Sequence, residues 1–520
     1  MNRHPKWTAV VVAVLALVAG MAWATETNFW SNGANGNWGN PGCWSLGYVP
    51  TNDVEVWFTN AAAGAYTVTF DQSATAKIMR VKSDKVTFDL AGKRWSTTPY
   101  SAFSAGSGGA ICQNAGETAT VVFSSSSLTP IAGGNYVNLA YNTATYGEMT
   151  WGAGATIYID DSLGTGIVVA LCRNLSSSAN VTISGAGSVL TNGANVGGTR
   201  SLTRGRWNLL NGGKWFDESL IIGDSGRATV TVHNATAIFT GGLTCGNFGR
   251  SLLVISNSTL TVGGTVLLGK IPGGSGGFIG DMLIHNSTAV VSRIEVGGYD
   301  STGYNDYRTG RLIVQNGAAL TVSNNLNVSG IREADLASVT NTFVLENGTI
   351  TMGGGTVGGA ITNRGFMRLA GTITGAGASR FQFVNEKNGA QTNGVLEIGA
   401  GIGTLSMTNG DFTNQGTIRL GFDAAGGDRL SISGGTATIA GTVAVTNTPG
   451  FTPKRGSGLK WDFVQADSIV YTASDNITSL MSAYGLTEGS DYAFGVVASG
   501  GGQALRLRIY GSTGTVIVVQ

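Results

Sequence analysis

An apolar-x-Asn motif, followed by small residues and then another apolar position, returns again and again along the middle of this chain. It appears as Leu209-Leu210-Asn211, Val232-His233-Asn234, Ile255-Ser256-Asn257, Ile284-His285-Asn286, Val314-Gln315-Asn316 and Leu345-Glu346-Asn347. The Asn-to-Asn spacings are 23, 23, 29, 30 and 31 residues. A period of that length marks a stacked repeat, because one unit is too small to bury its own apolar face. Around the motif, apolar and polar residues alternate, as in Thr229-Val230-Thr231-Val232, Leu260-Thr261-Val262 and Leu326-Asn327-Val328. A period of two is the signature of a strand with one face wet. Asn at the corner suits the left-handed backbone of a sharp turn, and stacked Asn can hydrogen-bond along an axis.

The expected fold is therefore all-β: a single-stranded parallel β-helix, or β-solenoid, right-handed and capped at both ends. After each motif a second strand ends near Gly, as in Leu220-Ile221-Ile222-Gly223, Leu243-Thr244-Cys245-Gly246, Leu267-Leu268-Gly269 and Ile294-Glu295-Val296-Gly297. Weaker copies sit at Ile183-Ser184-Gly185, Met407-Thr408-Asn409 and Ile432-Ser433-Gly434. The longer spacings mark insertions at corners, at residues 270–277 and 299–309. Residues 181–446 should make about 11 or 12 coils, an axis of about 55 Å at a strand spacing near 4.8 Å. A β-sandwich or barrel array is the rival, but neither needs an Asn corner on a coil-length period. An α-helical solenoid is excluded by the alternation and by 81 glycines in 520 residues, about twice the usual share.

Residues 1–24 read as a secretory signal peptide. Arg3 and Lys6 precede an apolar run over residues 9–19, and Ala22-Trp23-Ala24 offers a small-x-small cleavage site. The run is short for a membrane span. The expected organisation is then a Trp-rich N-terminal cap over 25–60, coils over 61–446, and a C-terminal cap over 447–520 holding one short helix, capped by Asn476 and stopped by Gly485, and a β-hairpin of strands 492–498 and 503–510. Export permits disulfides among Cys43, Cys112, Cys172 and Cys245. Cys245 falls on a core position and is read as a buried free thiol. The net charge is +1 with Arg3 and Lys6 counted, hence near −1 without them. No basic patch is present, which argues against a nucleic-acid partner. No second long apolar segment follows, so no transmembrane segment is expected in the mature chain.

The ends carry a resemblance. Trp30-Ser31-Asn32-Gly33, Asn37-Trp38, Cys43-Trp44 and Tyr48-Val49-Pro50-Thr51-Asn52-Asp53 resemble the mature start of large exported bacterial β-helix proteins of the autotransporter-passenger-like or PEP-CTERM-associated kind. Ala65-Tyr66-Thr67-Val68-Thr69-Phe70 and Val86-Thr87-Phe88-Asp89-Leu90-Ala91-Gly92 look like first rungs of that family. Residues 427–434 and 440–443, then Gly450-Phe451-Thr452-Pro453 and Trp461-Asp462-Phe463, look like terminal rungs. The resemblance speaks for architecture and only weakly for function. Two departures stand out. The chain ends Val518-Val519-Gln520, without the alternating barrel strands of an autotransporter and without a PEP-CTERM sorting signal. Surface retention is then expected to be non-covalent or through a partner.

No residue cluster points to a defined reaction. His233 and His285 occupy the same corner position with Ser256 in the coil between, so about 10 Å separates them, too far to share a metal. Asp160-Asp161 and Asp217-Glu218 are adjacent pairs, and neighbours on a strand face opposite ways, so neither is a ready dyad. No catalytic residue, metal site or cofactor is therefore assigned. The best binding candidate is the polar insertion holding Tyr299, Tyr304 and Tyr307 with Asp306 and Arg308, since insertions on solenoids commonly carry binding. Trp207 and Trp215 align with Val230 and Ile238 and read as core. The expected function is a secreted or cell-surface adhesin, matrix or envelope component, glycan-binding and non-catalytic. Its partners would be polysaccharide or other envelope components, with self-association open to it. The alternative is a polysaccharide lyase or glycoside hydrolase on the same scaffold. An ice-binding rod ranks last, because Thr-x-Thr pieces such as Thr229-Val230-Thr231 and Thr372-Ile373-Thr374 are not expected to share a rung position.

Overall fold

The computed structural model describes residues 26–511 apart from single residues and short internal segments, chiefly 98–108, 112–117, 125–129, 140–145, 160–177, 193–198, 270–277, 298–307, 330–340 and 388–393; few side chains are described between residues 95 and 204. The described chain is almost entirely strand, paired mostly in parallel, and forms the expected all-β solenoid.

Three strands make a coil. Arg227–His233 is followed by Thr236–Phe239 and then Leu243–Cys245. Each lies in parallel register on its counterpart in the next coil, namely Arg250–Ser256 and the two halves of Thr259–Leu268. Repetition of this pairing builds three sheets, the first, second and third in chain order within a coil. From Ser178–Ser184 to Thr442–Asn447 the first sheet holds eleven strands, within the expected range.

The corners explain the repeat. Asn211, Asn234, Asn257, Asn286, Asn316 and Asn347 all turn the chain from the first sheet to the second, with φ between 44° and 55°. Asn tolerates this left-handed region better than other non-glycine residues. The glycines at 223, 246, 269 and 297 turn the chain from the third sheet back to the first, with φ of 74–86°. They close the coil's third strand, one strand later than the sequence suggested. A Cβ on Gly246 would stand 2.6 Å from the Ile279 carbonyl oxygen, so glycine is required there twice over. Asn409 and Gly434, expected as weak copies of the first corner, belong instead to the second-to-third turn. The insertions share one address. Residues 270–277, 298–307 and 330–340 each join the third sheet to the first.

Inward side chains stack along the axis into one apolar core. The second sheet contributes Ala237, Leu260, Ala289, Leu320, Ile350, Ile373, Met407 and Ile432 in register, nearly all fully buried. Each large aliphatic so buried is worth roughly 1.5–3 kcal/mol. Trp207 pairs with Val230 as expected, whereas Trp215 pairs with Ala237 rather than Ile238. Both indoles are buried, with ring centroids 4.8 Å apart. Cys43 and Cys245 are buried free thiols; burial pushes Cys245 up to about 12. Cys112 and Cys172 lie outside the described residues.

Aromatic packing plugs the N-terminal end. Trp44 meets Trp30 and Trp38 edge-on at 5.0 and 4.9 Å, and Trp38 stacks on Phe70 at 4.8 Å. This segment also contributes Thr27–Phe29, which pairs in parallel with Glu55–Phe58. At the other end the chain reverses. Gly502–Ile509 pairs antiparallel with Lys460–Ala466, and Tyr492–Ser499 pairs antiparallel with Gly502–Ile509. The short helix Ile477–Ser482 buries Ile477 and Met481. Asn476 precedes it, but its side chain bonds the Val445 backbone rather than the helix.

Candidate functional site

The chemistry-bearing side chains mostly answer to neighbouring coils. His233, Ser256, His285 and Gln315 form one row in register at the ends of first-sheet strands. His233 Nδ1 lies 2.8 Å from Ser256 Oγ, and Asn316 Nδ2 lies 2.9 Å from His285 Nδ1. The two histidines stand two coils apart, as their shared corner required. Among the described residues no group of three or more His, Cys, Asp or Glu side chains could hold a metal ion. Asp217 turns inward, where its carboxylate accepts from Trp215 Nε1 at 3.3 Å and from the Glu218 backbone N–H at 2.9 Å. Asp160 and Asp161 lie outside the described residues. So do Tyr299, Tyr304, Asp306 and Tyr307, together with the side chain of Arg308, whose backbone opens the strand Arg308–Gln315.

A second asparagine ladder escaped the sequence reading. Asn363, Asn385 and Asn414 are all 0 % exposed and point inward at the third-to-first corner. Asn363 Nδ2 donates to Asn385 Oδ1 at 2.8 Å, and Asn385 Nδ2 donates to Asn414 Oδ1 at 2.6 Å. Asn363 and Asn385 also reach the Val395 and Thr417 carbonyls of the following coils at 3.0 Å each. The signal was an Asn-x-Gly closing a third strand, in Asn363-Arg364-Gly365 and Asn414-Gln415-Gly416. It was hidden because Asn385 departs from that spacing.

Charges cluster on the outside of the first and third sheets. On the first, Arg311 pairs with Asp281 at 2.9 Å, and Glu397 bridges Arg368 and Arg419 at 2.9 and 2.8 Å. On the third, Arg293 pairs with Glu295, Asn327 Nδ2 donates to Glu295 Oε1 at 2.8 Å, and Arg380 pairs with Asp411 at 3.2 Å. Near the C-terminal end, Asp428 ties two coils through the Gly403 and Gly421 backbone N–H groups. Burial raises its carboxyl to about 6 despite those donors.

The second sheet differs from both over much of its length. From Thr236 to Ser433 its outward positions include two columns, eight coils long, with Lys214 and Phe216 in register one coil before them and Arg429 beside them on the last strand. One runs Thr236, Thr259, Thr288, Ala319, Thr349, Thr372, Ser406, Ser431; the other runs Ile238, Thr261, Val290, Thr321, Thr351, Thr374, Thr408, Ser433. Thirteen of these sixteen positions bear a hydroxyl and none bears a charge or an aromatic ring. The two Thr-x-Thr pieces singled out in the sequence do occupy different positions, Thr229-Val230-Thr231 in the first sheet and Thr372-Ile373-Thr374 in the second, but other pieces share the second-sheet position. Thr259-x-Thr261, Thr349-x-Thr351, Thr372-x-Thr374 and Ser406-x-Thr408 nevertheless stand in register. Sequence spacing concealed this, because corner insertions shift the numbering between coils by unequal amounts.

Compared with known proteins, the chain matches no protein-family model and no curated sequence. No described helix is long and apolar enough to cross a membrane.

Proposed function

We propose that this protein is an exported, cell-surface or extracellular rod, working as a non-catalytic adhesin, matrix or envelope component that contacts glycan. One observation carries the proposal: the described His, Asn, Asp and Arg–Glu ladders are engaged chiefly in joining coil to coil, over a single continuous core. Such a chain presents a long, repetitive exterior, which suits contact with an equally repetitive matrix. The aromatic insertion at Tyr299, Tyr304 and Tyr307 supplies the proposed sugar contact, with Asp306 and Arg308 beside it.

The test is incubation with a panel of acidic and neutral polysaccharides, calcium present, scoring both retention and new reducing ends or unsaturated products. Retention without product is expected. Tyr304→Ala with Tyr307→Ala should weaken retention while leaving the circular dichroism unchanged; undiminished retention removes the insertion from the proposal. Product release from any polymer would overturn the non-catalytic reading. It would support the lyase or hydrolase alternative and direct attention to Asp160, Asp161, Asp217 and Glu218.

A further inference from the structure

We infer that the outward face of the second sheet is an ice-binding surface, whose ligand is the ordered water of an ice crystal. The inference does not rest on the function proposed above, since a matrix rod without affinity for ice would leave that proposal intact.

Residues i and i+2 on one strand stand about 6.7 Å apart, and equivalent residues on successive coils about 4.8 Å apart. The two threonine columns thus form a near-rectangular lattice with the register given above. Its two repeats lie close to the oxygen spacings on a prism face of hexagonal ice. A partner matched in two dimensions must itself be a periodic solid.

Threonine offers a hydroxyl that donates and accepts, beside a methyl group over which first-shell water is orientationally restricted. An array of such pairs holds water in place without a charge to impose a competing hydration shell. Ions keep to the margins of this array: Asp281, Arg311, Glu397 and Arg419 lie on the first sheet and Glu295 and Asp411 on the third, while Lys214 and Arg429 stand on the second sheet at the two ends of the columns. A sugar polymer fits less well, because stacking on a glycan needs aromatic faces and the sixteen positions hold none. A second copy of the chain also fits poorly, since pairing two such faces would desolvate hydroxyls for little apolar gain.

Access is clearest in the first half of the face: from Thr236–Phe239 to Ala319–Val322, the turns on either side contain no more than three residues. Further along, longer connections flank it, residues 353–359 and 376–380 on the side toward the third sheet and 398–403 and 423–428 on the side toward the first.

The purified protein should open a gap between freezing and melting temperatures in a nanolitre osmometer, and should inhibit ice recrystallisation. Thr351→Lys combined with Thr374→Lys places two hydrated ammonium groups mid-array and should abolish both effects. Thr231→Lys on the first sheet should change neither. Circular dichroism confirms that each variant is folded; should the lysine pair unfold, the near-isosteric Thr351→Val with Thr374→Val is expected to fold and still lower the gap. Absence of any gap in the parent protein would overturn the inference, as would full activity in a folded lysine variant. Retention on insoluble cellulose or chitin that is lost with Thr351→Lys and Thr374→Lys, without ice activity, would also overturn it and give the face to a glycan.

Discussion

Two asparagine ladders run through this molecule, and they use the same side chain for opposite purposes. At the first-to-second corner, Asn211 to Asn347 are valued for backbone conformation. Their φ angles are left-handed, and the side chains sit at the surface, where Asn286 Nδ2 donates to Asn257 Oδ1 at 2.7 Å. At the third-to-first corner, Asn363, Asn385 and Asn414 are absent from the positive-φ set and wholly buried. They are valued for the amide, which satisfies buried carbonyls and its own neighbours. The first ladder needs a residue that tolerates a shape; the second needs one with a donor and an acceptor in a dry place.

Substitution should separate the two. The largest effect is expected for Asn385→Ala, which deprives Asn414 Oδ1 and the Thr417 carbonyl of a donor, at roughly 1–3 kcal/mol each. Asn385→Gly should be no better. Hydrogen exchange of the amides around Val395 and Thr417 would locate the loss, since unfolding of a long repeat array need not be two-state. Recovery of stability by Asn385→Gly would erase the distinction between the ladders.

Asp428 extends the comparison to a charged holder. It braces the turn from first to second sheet in the last coils, where a carboxylate stands in place of an amide. Its folded carboxyl titrates at about 6 against an ordinary 3.8. The protonated form is therefore favoured by folding. The associated stability is full below about pH 4, falls as pH rises toward about 6, and is lost above. Asp428→Asn should remove that slope from the thermal midpoint measured against pH, while the amide ladders contribute none. A slope unchanged in the variant would assign it to other groups.

Smaller effects come next. Asn286→Ala should cost about 1–2 kcal/mol through left-handed strain, and Asn286→Gly should recover most of it. The smallest is Glu397→Gln, which breaks a surface bridge between two arginines and should cost at most about 1 kcal/mol. That loss should shrink in high salt; a larger, salt-independent loss would mean the exterior ladder acts like the buried one.

These contrasts also show what could be read from the residues alone. The exposed corner was legible because αL backbone restricts the residue type, so Asn211 to Asn347 repeat visibly. The solenoid followed from that repeat, and so did the shared row of His233, Ser256 and His285. The buried ladder was not legible, since an inward Asn in a strand looks like any outward polar residue until register assigns its face. The threonine columns failed for a related reason: Thr261, Thr321 and Thr351 are in line only after insertions of unequal length have been looped out. The insertion with Tyr304 and Tyr307 stands out by composition, and composition does not say which side chains converge.

In-register pairing has a consequence for how such a chain changes over generations. A coil such as residues 234–256 begins and ends at the same point of the cross-section, so copying it in tandem adds one ring and disturbs no other contact. His233-Asn234-Ala235-Thr236-Ala237-Ile238 and His285-Asn286-Ser287-Thr288-Ala289-Val290 are alike at two coils' distance, the pattern that copying a two-coil unit leaves. Rod length is then a heritable quantity that can be adjusted in steps of about 4.8 Å, between two ends that stay the same.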